Sequence, residues 1–431
     1  MLKRRVFGKI PENYVLKSGR VLNATSGWQF VDNRDGKHPS KNHHPTNFIS
    51  EIVQEEIADF RKELSEVSSD EIGETISIDL PLTLLGATTG QNWVSGGQFG
   101  NRNQALRQLK VDPANQTAAG EDVGVIILDA GFNRKYIEAL AGPGRYGGGW
   151  SNQSDPAQHV GNYLDPHKRA SDGHGNMIAR NILSIAPKAT LYDVPILPSQ
   201  VYNLNGFSSD VVGALESIRH VIENAENHPC WPKHKHWILV NAWAVATSFA
   251  DHGQIYSYAN SREHILNKQI IELAEMDHID VVFAAGNAGV FQPAPFSGPY
   301  DRGHAHSIWG ANGLEEVFTI GAVRTDGIAV GASSQGPSRK SLLKPGNCSA
   351  GTNKKPDLCA PSWFSEDCDA SVANTGTSAA CALFAGMLAD IRSGVNTQSS
   401  DALKASILNA ASNADAWNAQ TGYGMPDLGG M

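Results

Sequence analysis

Short apolar runs that alternate with helical stretches constrain the fold of this chain more than any other feature of the sequence. The runs consist mostly of Val, Ile, Leu, Phe and small residues, which is typical of strands buried on both faces of a parallel sheet. They lie at residues 123–128, 190–194, 238–240, 281–284 and 318–322. Residues 210–223 and 262–276 between them have helical patterns. The alternation predicts parallel βαβ units with right-handed crossovers, and therefore an α/β fold.

Two of the predicted strands end in a polar side chain beside a glycine turn. Asp129 directly follows residues 123–128, and Asn287 follows residues 281–284 after one alanine and one glycine. In open α/β sheets, functional groups gather outside the carboxyl ends of the strands, so we expect both side chains at the same edge. Taken singly, each residue also fits an ordinary turn or cap.

A histidine and a serine each stand at the start of an apolar segment. His174 lies between two glycines, which permit close approach of another backbone. Ser378 precedes residues 379–389, whose small and apolar side chains predict a buried helix. A serine at a helix N-terminus lies near unpaired backbone N–H groups and the positive end of the helix dipole. These conditions stabilise an alkoxide or an oxyanion, although Ser378 alone also fits a simple N-cap.

In the order Asp, His, Asn, Ser, these motifs resemble those of the subtilisin-like serine peptidases, from about residue 120 to the C-terminus. Further strings that are similar to the family's are WILVNAW at 237–243, VFTIGAV at 317–323, SSQGP at 333–337, KPDLCAP at 355–361 and TGYG at 421–424. The resemblance implies a three-layer subtilisin-like fold, with a mostly parallel central sheet and helices on both faces. It divides the chain into a catalytic domain at residues 119–431 and an N-terminal extension or propeptide-like region at residues 1–118.

The resemblance also implies a role for each motif residue. Ser378 would attack a peptide carbonyl, His174 would take its proton, and Asp129 would hold the imidazole in place. Asn287 would donate its amide to the oxyanion. The residues that would bind the substrate backbone are Ala242, Trp243, Ala244, Ala285 and Gly286. The indole of Trp243 would either line a subsite or pack in the core.

Four positions depart from the family pattern without removing a catalytic group. Ala130 and Asn176 replace polar residues that usually follow the aspartate and the histidine. Arg180 stands where a small glycine is common, and Ala382 where the serine motif normally has proline. We therefore predict a serine endopeptidase that forms an acyl-enzyme. A peptide ligase or cyclase on the same fold, and a non-catalytic subtilase-like binding protein, remain as alternatives.

Composition restricts the partners and the compartment. The formal net charge of −9 argues against a nucleic-acid partner, and no apolar stretch has the length of a membrane span, so a peptide or protein substrate is expected. No apolar segment of a signal peptide follows the first residues, which predicts a cytoplasmic protein, with export by an unrecognised route as the alternative. The five cysteines are then expected to be free thiols. We predict no cofactor; a structural calcium ion is possible, but no ligand run identifies its site.

The N-terminal region carries two readable segments. Residues 50–67 place apolar side chains at helical spacing, which predicts an amphipathic helix that packs on the rest of the protein. Residues 80–85 form an extended apolar segment with a proline shortly before the predicted catalytic domain. We hypothesise that this segment lies over or near the cleft and restrains activity, or that it is a structural part of the domain.

Overall fold

The computed structural model describes residues 3–9, 14–15, 21–22, 29–32, 39–40, 47–53, 57–65, 77–84, 99–111, 119–152, 160–162, 173–196, 206–224, 234–245, 247–249, 251–254, 256–290, 297–298, 300–347, 351–393 and 398–427. The strands in chain order are β1 (Lys3–Lys9), β2 (Tyr14–Val15), β3 (Val21–Leu22), β4 (Gln29–Asp32), β5 (Pro39–Ser40), β6 (Asn47–Val53), β7 (Ser77–Ile78), β8 (Pro81–Leu84), β9 (Val123–Asp129), β10 (Tyr146–Ser151), β11 (Thr190–Pro195), β12 (Gly206–Phe207), β13 (His236–Asn241), β14 (Trp243–Val245), β15 (Ile279–Ala284), β16 (Phe318–Val323), β17 (Leu358–Pro361), β18 (Phe364–Ser365) and β19 (Ala373–Asn374). The α-helices are α1 (Ile57–Ser65), α2 (Arg102–Gln108), α3 (Arg134–Ala141), α4 (His174–Leu183), α5 (Ser208–Glu223), α6 (Ile265–Ala274), α7 (Gly376–Ser393) and α8 (Ser400–Asn409).

A nine-stranded sheet forms the centre of the molecule, in the order β17-β16-β15-β13-β9-β11-β10-β4-β5. The strands from β17 to β10 run parallel to one another. Strands β4 and β5 add to the β10 edge in antiparallel orientation. The five runs predicted as buried strands are β9, β11, β13, β15 and β16 of this sheet, so the predicted mostly parallel sheet is confirmed.

Helices cover both faces of the sheet because its strands are apolar on both sides. Successive residues of a strand point to opposite faces. Accordingly, Ile126 and Leu128 of β9 pack with helices α5 and α6 in one core. Val125 and Ile127 of the same strand pack with helices α4 and α7 in a second core. The three layers are those of the predicted α/β fold.

The N-terminal region contributes a small antiparallel sheet of β6, β1 and β7, and helix α1. The prediction of one helix over residues 50–67 is wrong at its start, because residues 50–53 belong to β6, which pairs with β1 from Lys9 to Lys3. The β-branched side chains of Ile49, Ile52 and Val53 favour a strand there once a partner strand is available. The helix itself begins at Ile57, and Phe60 is buried in the core with α5 and α6, as the amphipathic pattern predicts.

A second small sheet lies between the N-terminal region and the central part of the chain. It has the order β12-β8-β14, and both of its pairings are antiparallel. Strand β14 comes directly after β13 of the central sheet, separated from it only by Ala242. Residues 81–84 of the N-terminal region are therefore held on both edges by strands from the predicted catalytic domain.

Candidate active site

Asp129 and His174 form a buried hydrogen-bonded pair. Asp129 is the last residue of β9, and its Oδ1 accepts a hydrogen bond from the backbone N–H of Ala130 at 2.7 Å. His174 is the first residue of α4, and its Nδ1 lies 2.7 Å from Oδ1 and 2.9 Å from Oδ2 of Asp129. The carboxylate can only accept, so Nδ1 carries the proton and donates it. In the neutral imidazole, Nε2 is then the acceptor.

Gly175 allows this pair to form. A Cβ atom at residue 175 would lie 2.2 Å from the carbonyl oxygen of Gly131 and 3.4 Å from Oδ1 of Asp129. Contacts of 2.2 Å are not tolerated between heavy atoms, so a larger residue would push the start of α4 away from the turn after β9. The glycine after His174 therefore serves close packing of the helix against the aspartate turn.

Ser378 lies in the first turn of α7, which begins at Gly376. Gly376 has a φ of 72°, a left-handed conformation that favours glycine, and its carbonyl oxygen accepts a hydrogen bond from the Ser362 hydroxyl at 2.7 Å. Ser378 is fully buried. Within the described part of the chain, neither its Oγ nor Nε2 of His174 has a hydrogen-bond partner, although both atoms are buried. One is a donor and the other an acceptor, so they are complementary.

Asn287 is fixed beside Ser378 by Thr377. The backbone N–H and the hydroxyl of Thr377 donate to Oδ1 of Asn287 at 3.0 and 3.1 Å. The same hydroxyl accepts a hydrogen bond from the backbone N–H of Gly286 at 3.1 Å. Thr377 thus identifies Oδ1 as the acceptor of the Asn287 amide. The donor, Nδ2, lies on the other side of the amide group. No sequence motif indicated that Thr377 would hold the amide of Asn287.

A cavity next to Asn287 brings several predicted substrate-binding residues together. Ala244, Ala285 and Gly286 line it, with Val245 and Trp309. Trp243 does not line it: the fully buried indole packs against Phe283 at a ring distance of 5.3 Å and donates to Oδ1 of Asn241 at 3.2 Å. Trp309 is instead the aromatic residue that lines the cavity, and no sequence motif indicated it.

The predicted substrate-binding strand β14 is already paired with the N-terminal region. In the antiparallel register, Trp243 pairs with Leu84, Ala244 with Thr83 and Val245 with Leu82. Strand β12 pairs with the other edge of β8, Gly206 with Leu82 and Phe207 with Pro81. Leu82 is fully buried between them. An extended segment of this chain thus occupies the edge of β14 at the cavity.

A second buried carboxyl group lies close to Asp129. Asp193 belongs to β11, the strand that pairs with β9, and its Oδ2 accepts a hydrogen bond from the backbone N–H of Gly161 at 2.7 Å. Burial raises the pKa of Asp193 to about 8; backbone N–H groups of Gly161 and Phe132 oppose this increase, and the charge of Asp129 adds to it. The group is therefore mostly protonated at neutral pH.

A comparison with models of protein families identifies the family of this chain. A model described as the subtilase family matches residues 120–424. The chain belongs to the subtilase family. Subtilases are serine peptidases, and peptides or proteins are their substrates. The match spans the Asp129, His174, Asn287 and Ser378 motifs and confirms the resemblance seen in the sequence. A search of curated proteins found no match to this subtilase.

The remaining predictions concern thiols, metals and membranes. Cys359, Cys368 and Cys381 are free thiols, while Cys230 and Cys348 lie outside the described residues. Among the side chains that the structure describes, no group of three or more His, Cys, Asp or Glu could hold a metal ion, and the possible calcium site stays a prediction. No helix within the described ranges is both long enough and apolar enough to cross a membrane.

Proposed function

We propose that this subtilase is a serine endopeptidase that uses Asp129, His174 and Ser378 as its catalytic triad. The observation that carries the proposal is the buried 2.7 Å hydrogen bond between Asp129 and His174 Nδ1, which makes Nε2 the proton acceptor of the imidazole. The complementary donor, Ser378 Oγ, stands in the first turn of a helix without a described partner. Stability alone does not explain two buried polar atoms without partners, since each lost hydrogen bond is costly.

The proposed reaction follows from these groups. Ser378 Oγ attacks the carbonyl carbon of the scissile bond while its proton moves to Nε2 of His174. The oxyanion that forms accepts hydrogen bonds from Nδ2 of Asn287 and from the backbone N–H of Ser378. His174 then gives the proton to the leaving amine, which breaks the peptide bond and leaves an acyl-enzyme. Water, activated by the same histidine, releases the acyl group, and Asp129 remains ionised throughout.

In the proposed reaction, side chains and backbone groups of the protein carry out every chemical step. No catalytic cofactor is therefore part of the proposal. Treatment with EDTA is expected to leave kcat unchanged at a temperature where the protein stays folded. Metal-dependent turnover would contradict this part of the proposal.

The proposed substrate is an extended peptide that pairs with strand β14. Support comes from β8, which already forms antiparallel pairing with β14 beside Asn287 and the cavity. Peptides of many sequences can bind through main-chain hydrogen bonds of this kind. The side chains of the peptide contribute to specificity only where they enter pockets. As part of the same proposal, residues 81–84 restrain activity, because a peptide substrate and β8 cannot occupy one edge of β14 together.

A fluorophosphonate probe tests the proposed nucleophile. The purified full chain should be labelled, and the Ser378→Ala protein should not. Absence of labelling both in the folded wild-type protein and in a folded variant with β8 released, such as Leu82→Asp, would leave only the binding-protein alternative. Mass spectrometry of products formed from a peptide ester with an added amine then separates hydrolysis from ligation. Acids should dominate if the protein is a peptidase, whereas amides would indicate a ligase.

A further inference from the structure

A buried cluster of charged and amide side chains joins the elements that carry His174 and Ser378, and the proposed reaction does not use it. Helix α4 begins at His174, and strand β19 leads directly into α7 with Ser378. The cluster consists of Arg102 from α2, Arg180 and Asn181 from α4, Glu366, and Asn374 from β19.

Arg102 forms a two-bond pair with Glu366. Its Nε donates to Oε2 at 2.7 Å and its Nη2 to Oε1 at 2.5 Å. Nη2 also donates to Oδ1 of Asn181 at 2.8 Å. Paired N–H···O bonds of a guanidinium fix both distance and orientation, which a single ammonium group cannot do. Arg102 therefore connects Glu366 directly with helix α4.

Asn374 forms a hydrogen bond with the second arginine, Arg180. Nη2 of Arg180 donates to Oδ1 of Asn374 at 2.9 Å, and Nδ2 of Asn374 donates to Oε1 of Glu366 at 2.8 Å. The Nε of Arg180 lies 2.8 Å from the same Oε1. Burial opposes the ionisation of Glu366, but hydrogen bonds from Arg102 and the charges of both arginines hold the pKa of its carboxyl below the usual value. The carboxylate is thus a charged centre that both arginines share.

We infer that this cluster positions His174 and Ser378 relative to each other, and that Arg102 is a positioning residue of the active site. The inference rests on the proposed function. His174 Nε2 and Ser378 Oγ have no partner among the described residues, so their alignment depends on how α4 and α7 are held. Through Arg180 and Asn181, the cluster connects α4 to Asn374, which lies just before the start of α7. Catalysis is sensitive to displacements of about 1 Å, so this tie controls turnover.

Arg102 comes from a part of the chain that precedes the matched subtilase residues, 120–424. Its helix is nevertheless fixed to the catalytic elements, since Ala105, Leu106 and Leu109 lie in the same core as α4 and α7. The Arg324 guanidinium lies 3.7 Å from the ring centre of Phe99, just before α2. Residues 120–424 therefore lack one member of the positioning cluster.

Steady-state kinetics of full-length variants test the inference. Arg102→Lys keeps the charge but cannot form the two-bond pair, and Glu366→Gln keeps the shape but loses the charge. We expect each to lower kcat by about 10- to 100-fold, as for a displacement of about 1 Å. KM should change by less than about twofold, because substrate binding is not altered. The second-order rate of fluorophosphonate labelling at Ser378 should fall in parallel with kcat.

The matched control is Arg107→Lys, on the exposed side of the same helix, which should leave both rates unchanged. Since the residues act as one unit, the Arg102→Lys, Glu366→Gln double variant should be little worse than either single variant. Wild-type kcat and labelling rate in either folded single variant would overturn the inference, even if the melting temperature falls. If one variant does not fold, the other gives the same readout. Wild-type protein that hydrolyses no faster than Ser378→Ala would instead refute the proposed function itself.

Discussion

At the scale of single residues, the proposed catalytic groups are expected to act as one unit. In the proposed mechanism, His174 is an effective base only while Asp129 holds its Nδ1 proton, and Ser378 is a nucleophile only while Nε2 can take its proton. Asn287 has a different proposed role, because its amide would stabilise negative charge that exists only in the transition state. Loss of one triad member should therefore cost almost as much as loss of two, whereas loss of the amide should be milder.

We predict that Ser378→Ala and His174→Ala each abolish nearly all hydrolysis and that the double variant is no worse. In subtilisin, removal of either group lowers kcat by about 10⁶-fold, and a similar loss is expected here. For Asn287→Ala we expect a fall in kcat of about 10²- to 10³-fold with little change in KM. The measurement is the initial rate of hydrolysis of a peptide substrate by each of the four variants. Substantial turnover by purified Ser378→Ala would show that another group is the nucleophile.

Asp193 should make stability depend on pH. The pKa of its carboxyl is about 8 in the folded protein and 3.8 in the reference state, so the folded protein keeps a proton that the unfolded chain has lost. Its contribution is fully present below pH 3.8 and disappears as the pH rises through 8. Between these values the free energy of unfolding should fall by about 1.4 kcal/mol per pH unit from this group.

Asp193→Asn should remove that dependence, because the amide cannot ionise. Urea unfolding of both proteins at several pH values should show the variant gaining relative to wild type as the pH rises from 5 to about 7, by about 1.4 kcal/mol per unit. Asp415→Asn, at an exposed position, is the control and should leave the slope unchanged. Parallel stability curves for Asp193→Asn and wild type would mean that Asp193 is ionised in the folded protein.

At the scale of elements, strand β8 is the segment whose removal should change activity most directly. Leu82 is fully buried where β8 lies between β12 and β14. Leu82→Asp would bury a carboxylate among apolar groups, which is costly enough to favour release of the strand. If β8 restrains the enzyme, kcat/KM on an added peptide should rise about tenfold for each 1.4 kcal/mol by which docking weakens.

The matched control for this experiment is Leu140→Asp, the same substitution at an exposed position of α3. It should change neither activity nor melting temperature. Aggregation of Leu82→Asp, with normal behaviour of the control, would indicate that β8 is a structural part of the domain. A folded Leu82→Asp protein with unchanged kcat/KM and unchanged melting temperature would contradict both hypotheses about residues 80–85.

The elements that sequence predicted well are those whose pattern is local. Strand β9 ends in Asp129, and β15 is followed by Asn287 after a short turn; both strands are largely apolar, so their burial and the place of the two polar residues at the edge of the sheet could be inferred. The pairing of β8 with β14 could not, because no local pattern specifies the partner of a four-residue strand. The same limit applies to Arg102, whose partners Asn181 and Glu366 are distant in sequence. Buried polar networks of this kind depend on three-dimensional placement alone.

At the scale of the whole molecule, the N-terminal region adds strands both to the β12-β8-β14 sheet and to the central sheet. Strand β8 pairs with β14, while β4 extends the central sheet beyond β10. Phe30 of β4 is buried against Trp150, with ring centres 4.9 Å apart, and close to Tyr192. Strand β4 also covers the edge of β10, and exposed sheet edges promote association between chains. Part of the N-terminal region is therefore needed for a stable central sheet.

We expect Phe30→Ala to lower the free energy of unfolding by about 3–5 kcal/mol, because it removes a buried ring from that edge. Urea denaturation with a fluorescence readout measures the change. Phe249→Ala is the matched control; its ring is 43% exposed, and an effect within about 0.5 kcal/mol is expected. Equal effects at the two positions would show that β4 is not packed on the central sheet.

If β8 competes with a substrate, as proposed, the competition is unimolecular, because β8 is part of the same polypeptide. Diluting the enzyme cannot displace it, since a short tether holds it at an effective concentration of about millimolar. If β8 is docked about 99% of the time, a peptide binds with an apparent affinity about 100-fold weaker than the open cleft would give. A single break in the backbone between residues 85 and 98 would convert this internal competitor into a separate ligand. Inhibition would then depend on protein concentration only once the fragment also leaves the central sheet, where its β4 pairs with β10.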